Sequence, residues 1–315
     1  MLNNFVEKGV YVSMEFKPEV AEIIKGAYDL HVHSAPDVLP RKMDDIDMAD
    51  RIKNSGMAGY AIKSHFFCTS ERAQLMNKLY PECDFIGTVS LNSYIGGINP
   101  AAMEMCARSG VKLVWFPTCD ASNEMAYVFD GNPNKKLPYW AQIKIEMREN
   151  KREAPNISLL DSDGRLIPSV YDVLDIIARY NIILATGHVS HEEAFLLVKE
   201  AHARGVKNIV ITHVDFPSTY YTVEEQKELV KYGAYMEHCY TTWATGKVDF
   251  EISAKMIREI GPEHCILGTD LGQKAGVYPD EGMAEWARRL LECGFTADEI
   301  RTMMVKNPRI LLGIG

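Results

Sequence analysis

A chain of 315 residues, 47% hydrophobic and 24% charged, can bury a full core as one large barrel or as two ordinary domains. Its net charge of −9 argues against a general affinity for nucleic acid or an anionic membrane, and no apolar run approaches the roughly 20 residues that span a bilayer. Seven cysteines without a C-x-x-C pair, and a start (MLNNFVEKGVYVSMEF) without the basic head, apolar run and cleavage site of a signal peptide, predict a cytoplasmic protein with reduced thiols.

Short apolar runs alternate with longer amphipathic stretches along the chain. In order, the predicted strands are AYDLHVH, MAGYAIKSH, DFIGTVSL, VKLVWFPT, NIILATGH, KNIVITHV, GAYMEHCY and HCILGTD. The segments between them read as helices, from MDDIDMADRIKNSG after the first strand to DFEISAKMIREIG before the last, and several close on a glycine such as Gly56, Gly110, Gly205 or Gly233. Two further helices, EGMAEWARRLLECGF and TADEIRTMMVKNPRILLG, follow strand 8. Eight strand–helix units without a linker predict one (β/α)8 TIM-barrel domain over residues 1–315.

Residues 118–168 break the rhythm as a long insertion after strand 4. Tyr127, Phe129, Tyr139 and Trp140 argue against disorder, and ISLLDSDGRLIP predicts a hairpin turning at Asp163-Gly164, so a lid or a contact in a homo-oligomer is expected. In SHEEA, Ser190 and Glu193 have the spacing of a capping box.

Six of nine histidines fall on one rim of this barrel. His31 and His33 end strand 1, two apart and therefore on one face; His65 ends strand 2, His188 strand 5, His213 strand 6 and His238 strand 7, while Asp270 ends strand 8. Active sites of such barrels gather at the C-terminal strand ends. A lone histidine there is ordinarily a packed structural residue, but His31, His33, His188, His213 and Asp270 together form a metal-ligand pattern. Neutral imidazoles with a carboxylate suit zinc first, with manganese or iron as alternatives, and such an ion turns bound water into a nucleophile. Glu237 and His238 face opposite ways on strand 7, and His238 is expected to point into the mouth as a catalytic group beside His213 and Asp270. Lys63 shares the facing of His65 one layer deeper, and both are expected to contact the substrate. Buried there, Lys63 needs a partner: a carboxylate such as Asp270, an anionic substrate, or carbon dioxide as a carbamate. Arg41, just beyond strand 1, is the third candidate substrate contact. His191, His202 and His264 read as surface or packing residues.

The order H-x-H on strand 1, His on strands 5 and 6 and Asp on strand 8 resembles the amidohydrolase superfamily of metal-dependent barrels, and NPRILLG (307–313) is similar to its terminal N-P-A-R stretch. Phrases such as DLHVHSAPD, ATGHVSHEEA, THVDFP and GTDLGQ are similar to a little-characterised branch. The resemblance implies that His31, His33, His188, His213 and Asp270 are metal ligands or immediate neighbours, with Asp270 also moving the proton of the attacking water. Binuclear members carry a lysine or glutamate at the end of strand 4, where this chain reads WFPTCD, so either Lys63, Cys119 or Asp120 substitutes in a two-ion site or the site holds one ion.

The expected function is hydrolysis of an amide, ester or lactone bond of a small molecule through a metal-activated water, with an anionic substrate as one option. A decarboxylase or isomerase on a mononuclear centre is the alternative, and a non-catalytic metal-binding barrel is the third. DLHVHS also opens the polymerase-and-histidinol-phosphatase phosphoesterases, which resemble the chain at strand 1. That family ends with a D-x-H motif, whereas here Gly272 stands two residues after Asp270.

Overall fold

The computed structural model describes residues 16–132 and 134–314; the start read above for a signal peptide lies outside them but for Phe16. Eight strands pair in parallel in chain order: β1 (Tyr28–Val32), β2 (Gly59–Ile62), β3 (Asp84–Ser90), β4 (Leu113–Trp115), β5 (Ile183–Ala185), β6 (Ile209–Ile211), β7 (Ala234–Cys239) and β8 (Cys265–Gly268). With the flanking helices and a long insertion after β4, this is the expected (β/α)8 barrel. The apolar runs are continuous because each strand is buried on both faces. Tyr28, Leu30, Ala61, Ile86, Leu113, Trp115, Ile183, Val210 and Ile266 pack together inside the barrel. The alternate residues Tyr60, Ile62, Val114, Leu184, Ile211, Met236 and Leu267 pack under the helices.

The barrel closes just beyond β8. The Asp270 amide donates to the His31 carbonyl at 2.8 Å, and the His33 amide donates to the Leu271 carbonyl at 2.8 Å. The β1–β2 register also shifts between Asp29 and Val32, a bulge that re-aims the end of β1. Simple alternation would put Leu30 and His31 on opposite faces; through the bulge both serve the interior.

The insertion holds two helices that the sequence reading did not anticipate, Ser122–Val128 and Ala141–Glu149. The expected hairpin forms, with Leu160 bridged to Leu166 and the Asp161 amide donating to the Arg165 carbonyl at 2.8 Å. Met125, Val128, Trp140 and Ala141 pack on Leu39 and Phe66, residues of the loops after β1 and β2, so the insertion rests on the C-terminal rim. Lys144 and Asp120 pin it there as a buried ion pair, and Asp120 also accepts the Ser93 amide at 2.7 Å. The capping box at Ser190 and Glu193 is present.

Two glycines have no substitute at this rim. Gly187 (φ 67°) precedes His188, and a Cβ there would collide with the Phe116 carbonyl; Gly272 (φ 138°) lies against the His33 backbone, where a Cβ would strike the His33 carbonyl oxygen. Gly272→Ala is therefore expected to cost at least about 2 kcal/mol, combining a strained φ with a backbone clash. Denaturant unfolding measures this, and a variant as stable as the parent would show that the seam yields freely.

Candidate metal centre

The seam places two histidines and an aspartate together. His31 Nε2 lies 3.2 Å and His33 Nε2 3.1 Å from the same oxygen, Asp270 Oδ1. His31 and His33 are 0% and 2% exposed, while Asp270, at 19%, is the member that opens toward the mouth. Atoms that each sit about 2.0–2.1 Å from one tetrahedral ion lie roughly 3.4 Å apart, so these separations fit ligands of a shared divalent cation.

The neighbours prepare the donors. Both Glu237 oxygens lie 3.1 Å from His31 Nδ1, so the Nδ1 proton is assigned toward Glu237 and the Nε2 lone pair is turned toward Asp270. Lys63 Nζ donates to the same Nε2 at 2.6 Å and lies 4.8 Å from the Trp115 ring centroid. Thr241 Oγ1 donates to Asp270 Oδ2 at 3.0 Å. His213 and Asp270 both have φ 52°, a left-handed backbone that a non-glycine residue adopts at some cost and that turns each strand end toward the site.

Burial dominates the protonation pattern. It holds the His33 pKa well below the usual imidazole value, with the Arg41 charge acting the same way. Burial likewise lowers His213, aided by the His31 charge, and His65, aided by His33. These rings are neutral at ordinary pH, the state a metal ligand needs. His31 goes the other way: burial and Lys63 push it down, but Glu237 and Asp270 prevail and raise it. Burial lowers the Lys63 ammonium despite Asp270 and Glu237, and Asp270 is held well below the usual carboxylate range, against burial, by His31 and His33.

The other predicted residues divide. The His213 ring centroid is 4.8 Å from that of His31 and 5.3 Å from that of His188. His188 Nε2 and His213 Nδ1 are buried without a hydrogen-bond partner, as suits atoms that meet a ligand, while His188 Nδ1 has the Glu124 carboxylate 3.4 Å away. His65 packs 4.9 Å from His33, ring to ring, and its Nδ1 is 2.9 Å from Thr118 Oγ1. Lys63 reaches His31, whereas Asp120 is spent on Lys144 and Cys119 lies in the apolar cluster under the insertion.

Two expectations are corrected. On β7 it is Glu237 that enters the site, while His238 points into the helical layer, its Nδ1 2.8 Å from Asp215 Oδ2, which also accepts from Ser253 Oγ at 2.5 Å. The facing follows Tyr235, which packs inside the barrel and shares the parity of Glu237 and Cys239. Asp215, in THVDFP, was the available signal, since it offers a buried partner for an outward histidine. Arg41 is likewise not an open substrate contact: its side chain is 2% exposed, paired with Asp37, with NH2 3.2 Å from His33 Nδ1.

Sequence reasoning also missed Cys239 and Glu124. Donor atoms of His31, His213, Glu237 and Cys239 lie within 4.8 Å of one another, a second constellation able to hold a cation beside His31, His33 and Asp270. Glu124, on the first insertion helix, places Oε2 3.4 Å from His188 Nδ1. No strand periodicity marks it, because it arrives on an irregular excursion.

An eight-stranded parallel barrel carries clustered histidines and acids at its C-terminal rim, an arrangement compatible with a bound metal ion. The chain belongs to a family of unknown function, DUF6282, whose model matches residues 26–237. No curated protein shows detectable sequence similarity to it. The fold is similar to that of an amidohydrolase from Pseudomonas aeruginosa (11% identity, 93% of this chain and 97% of that one, TM-score 0.59). It is also similar to an organophosphorus hydrolase from Deinococcus radiodurans (13%, 93% and 94%, TM-score 0.55) and to YJJV, a TATD homolog from Escherichia coli (13%, 93% and 100%, TM-score 0.55). At such identities the likeness is one of fold. Among the described residues no helix is long and apolar enough to cross a membrane.

The geometry separates the two β7 residues experimentally. Glu237→Gln should weaken divalent-metal affinity about tenfold to a hundredfold, the usual effect of losing a carboxylate that orients a ligand histidine. His238→Leu should leave metal affinity unchanged and cost about 1–3 kcal/mol of stability by stranding the buried Asp215. Competition with a chelating dye and thermal unfolding read the two effects, and a reversed pattern would put His238 back in the site.

Proposed function

We propose that this protein is a metal-dependent hydrolase that cleaves an amide, ester or lactone bond of a small molecule. The observation that carries the reading is the convergence of His31 Nε2 and His33 Nε2 on one oxygen of Asp270. His31, His33 and Asp270 would hold one divalent transition metal, zinc by preference over manganese or iron, and His188 and His213 offer donors for the same ion or a second. Bound there, the ion supplies a water of lowered pKa and polarises the scissile carbonyl.

Asp270 would take the proton of the attacking water and return it to the leaving group. It is kept ionised by the two histidines and held in one orientation by Thr241, and it is the member of the trio open to the mouth. His213, neutral and close to His31, would face the developing oxyanion. Lys63 and His65 would line the substrate side, and Arg41 would steady the His33 ring.

Purified protein should carry roughly one to two equivalents of a transition metal, and the double variant His31→Ala/His33→Ala should lose it; native metal content in that variant would end the proposal. Asp270→Asn should stay folded and lose about two to four orders of magnitude in turnover. Substrates are sought among lactones, N-acyl amino acids and unsaturated carboxylic acids, where release of an acid rather than carbon dioxide separates hydrolysis from decarboxylation. Lys63→Met reports the lysine's role: loss of a metal equivalent marks Lys63 as a ligand, whereas a raised KM for an acidic substrate marks it as a substrate contact.

A further inference from the structure

The basic side chains around the site are nearly all spent. Arg41 is tied to Asp37, Lys63 to His31, Arg72 to Asp45 and Lys144 to Asp120. Lys247 is not. It is exposed and forms no ion pair among the described residues, and its Nζ lies 4.1 Å from the centroid of the Phe216 ring. That ring is 5.4 Å from His213 and stacks at 6.5 Å on His188. The ammonium is therefore one aromatic ring away from two histidines of the candidate centre.

Both supports of this lysine are anchored to the site. Lys247 follows the short helix Tyr240–Ala244 that carries Thr241, the donor to Asp270, and its amide closes onto the Thr242 carbonyl at 3.1 Å. Phe216 lies in the loop after β6, where its amide donates to the His213 carbonyl at 2.9 Å. Asn123 of the insertion ties the same loop to β5 by donating to the carbonyls of Ser218, at 2.8 Å, and His188, at 3.2 Å. A second exposed lysine, Lys136 of the insertion, also lacks an ion pair among the described residues. Burial of its ammonium lowers the Lys247 pKa; Asp270 and Glu124 oppose this, and Lys136 adds to the lowering by repulsion. An anion bound at Lys247 would answer both the burial of its ammonium and the repulsion from Lys136.

We propose that Lys247, seated on Phe216 and aided by Lys136, binds an anionic group at the end of the substrate remote from the scissile bond, and so selects small organic anions for this site. The proposal rests on the reading of this rim as the catalytic mouth. It gives a chain of net charge −9 a local cation, one ring away from His188 and His213, with which to recruit an acid. The bound group is a carboxylate or a phosphate ester, since a lysine ammonium recognises either as a point charge.

Calorimetric titration of the purified protein tests it, with succinate and glycerol phosphate as charged probes and neutral succinamide as control. The parent should bind at least one charged probe about tenfold more tightly than Lys247→Met does, the magnitude of one lost charge-assisted contact. Lys136→Met/Lys247→Met should weaken binding further, while metal content, melting temperature and the weak succinamide response stay as in the parent. Whichever probe loses affinity identifies carboxylate or phosphate as the favoured group. Equal binding of the charged probes to parent and Lys247→Met, or no binding of either probe to the parent, overturns the proposal. Metal analysis of His31→Ala/His33→Ala in parallel keeps the two failures apart. Retained metal there with a Lys247-dependent probe leaves an anion site without the proposed chemistry; lost metal with a Lys247-independent probe leaves the chemistry and removes this site.

Discussion

The centre depends on two backbone hydrogen bonds across the barrel seam, from the Asp270 amide to the His31 carbonyl and from the His33 amide to the Leu271 carbonyl. A parallel barrel must join its first strand to its last, so residues far apart in sequence become neighbours. Here the joining residues are themselves the donors. Asp270 meets both histidines because its own main chain is paired with theirs, and the left-handed φ it adopts keeps its carboxylate over the opening.

Burial alone would produce neutral rings and unstable charges. Neutral His33, His213 and His65 are what burial yields, and they suit a metal ligand or a polar contact. Charges persist where a partner meets them: Asp270 between two imidazoles, Lys63 near Asp270 and Glu237, Asp120 against Lys144. Lys63 supplies positive charge where the carboxylates of Asp270 and Glu237 crowd.

The barrel was legible because every strand is buried on both faces and ends in recognisable turn chemistry, so eight apolar runs stood out against the helices. The H-x-H pair, His213 and Asp270 were legible from strand-end position alone. The facing of β7 was not, since Glu237 and His238 are adjacent and both buried, and only the packing of Tyr235 inside and of Asp215 outside decides between them. The bulge in β1 was equally hidden: it leaves His31 and His33 on one face, as alternation requires, but brings Leu30 to the interior beside His31. Glu124 lay beyond any periodic argument, because the insertion obeys contacts with the rim rather than the rhythm of the barrel.

The same seam limits what chemistry the strand-8 end can offer. At Gly272 the chain passes so close to the His33 carbonyl that no Cβ fits, so the histidine of a D-x-H motif has no place there and the phosphoesterase resemblance stops at strand 1. With that position closed, further candidate donors stand on β7, where Glu237 and Cys239 lie near His31, and on the other side of the mouth. There His188 follows Gly187, itself pressed against the Phe116 carbonyl, His213 turns on its left-handed backbone, and the insertion brings Glu124 against His188. The long excursion after β4 thus brings a carboxylate against His188 on the side of the barrel where the Asp120 carboxylate is taken up by Lys144.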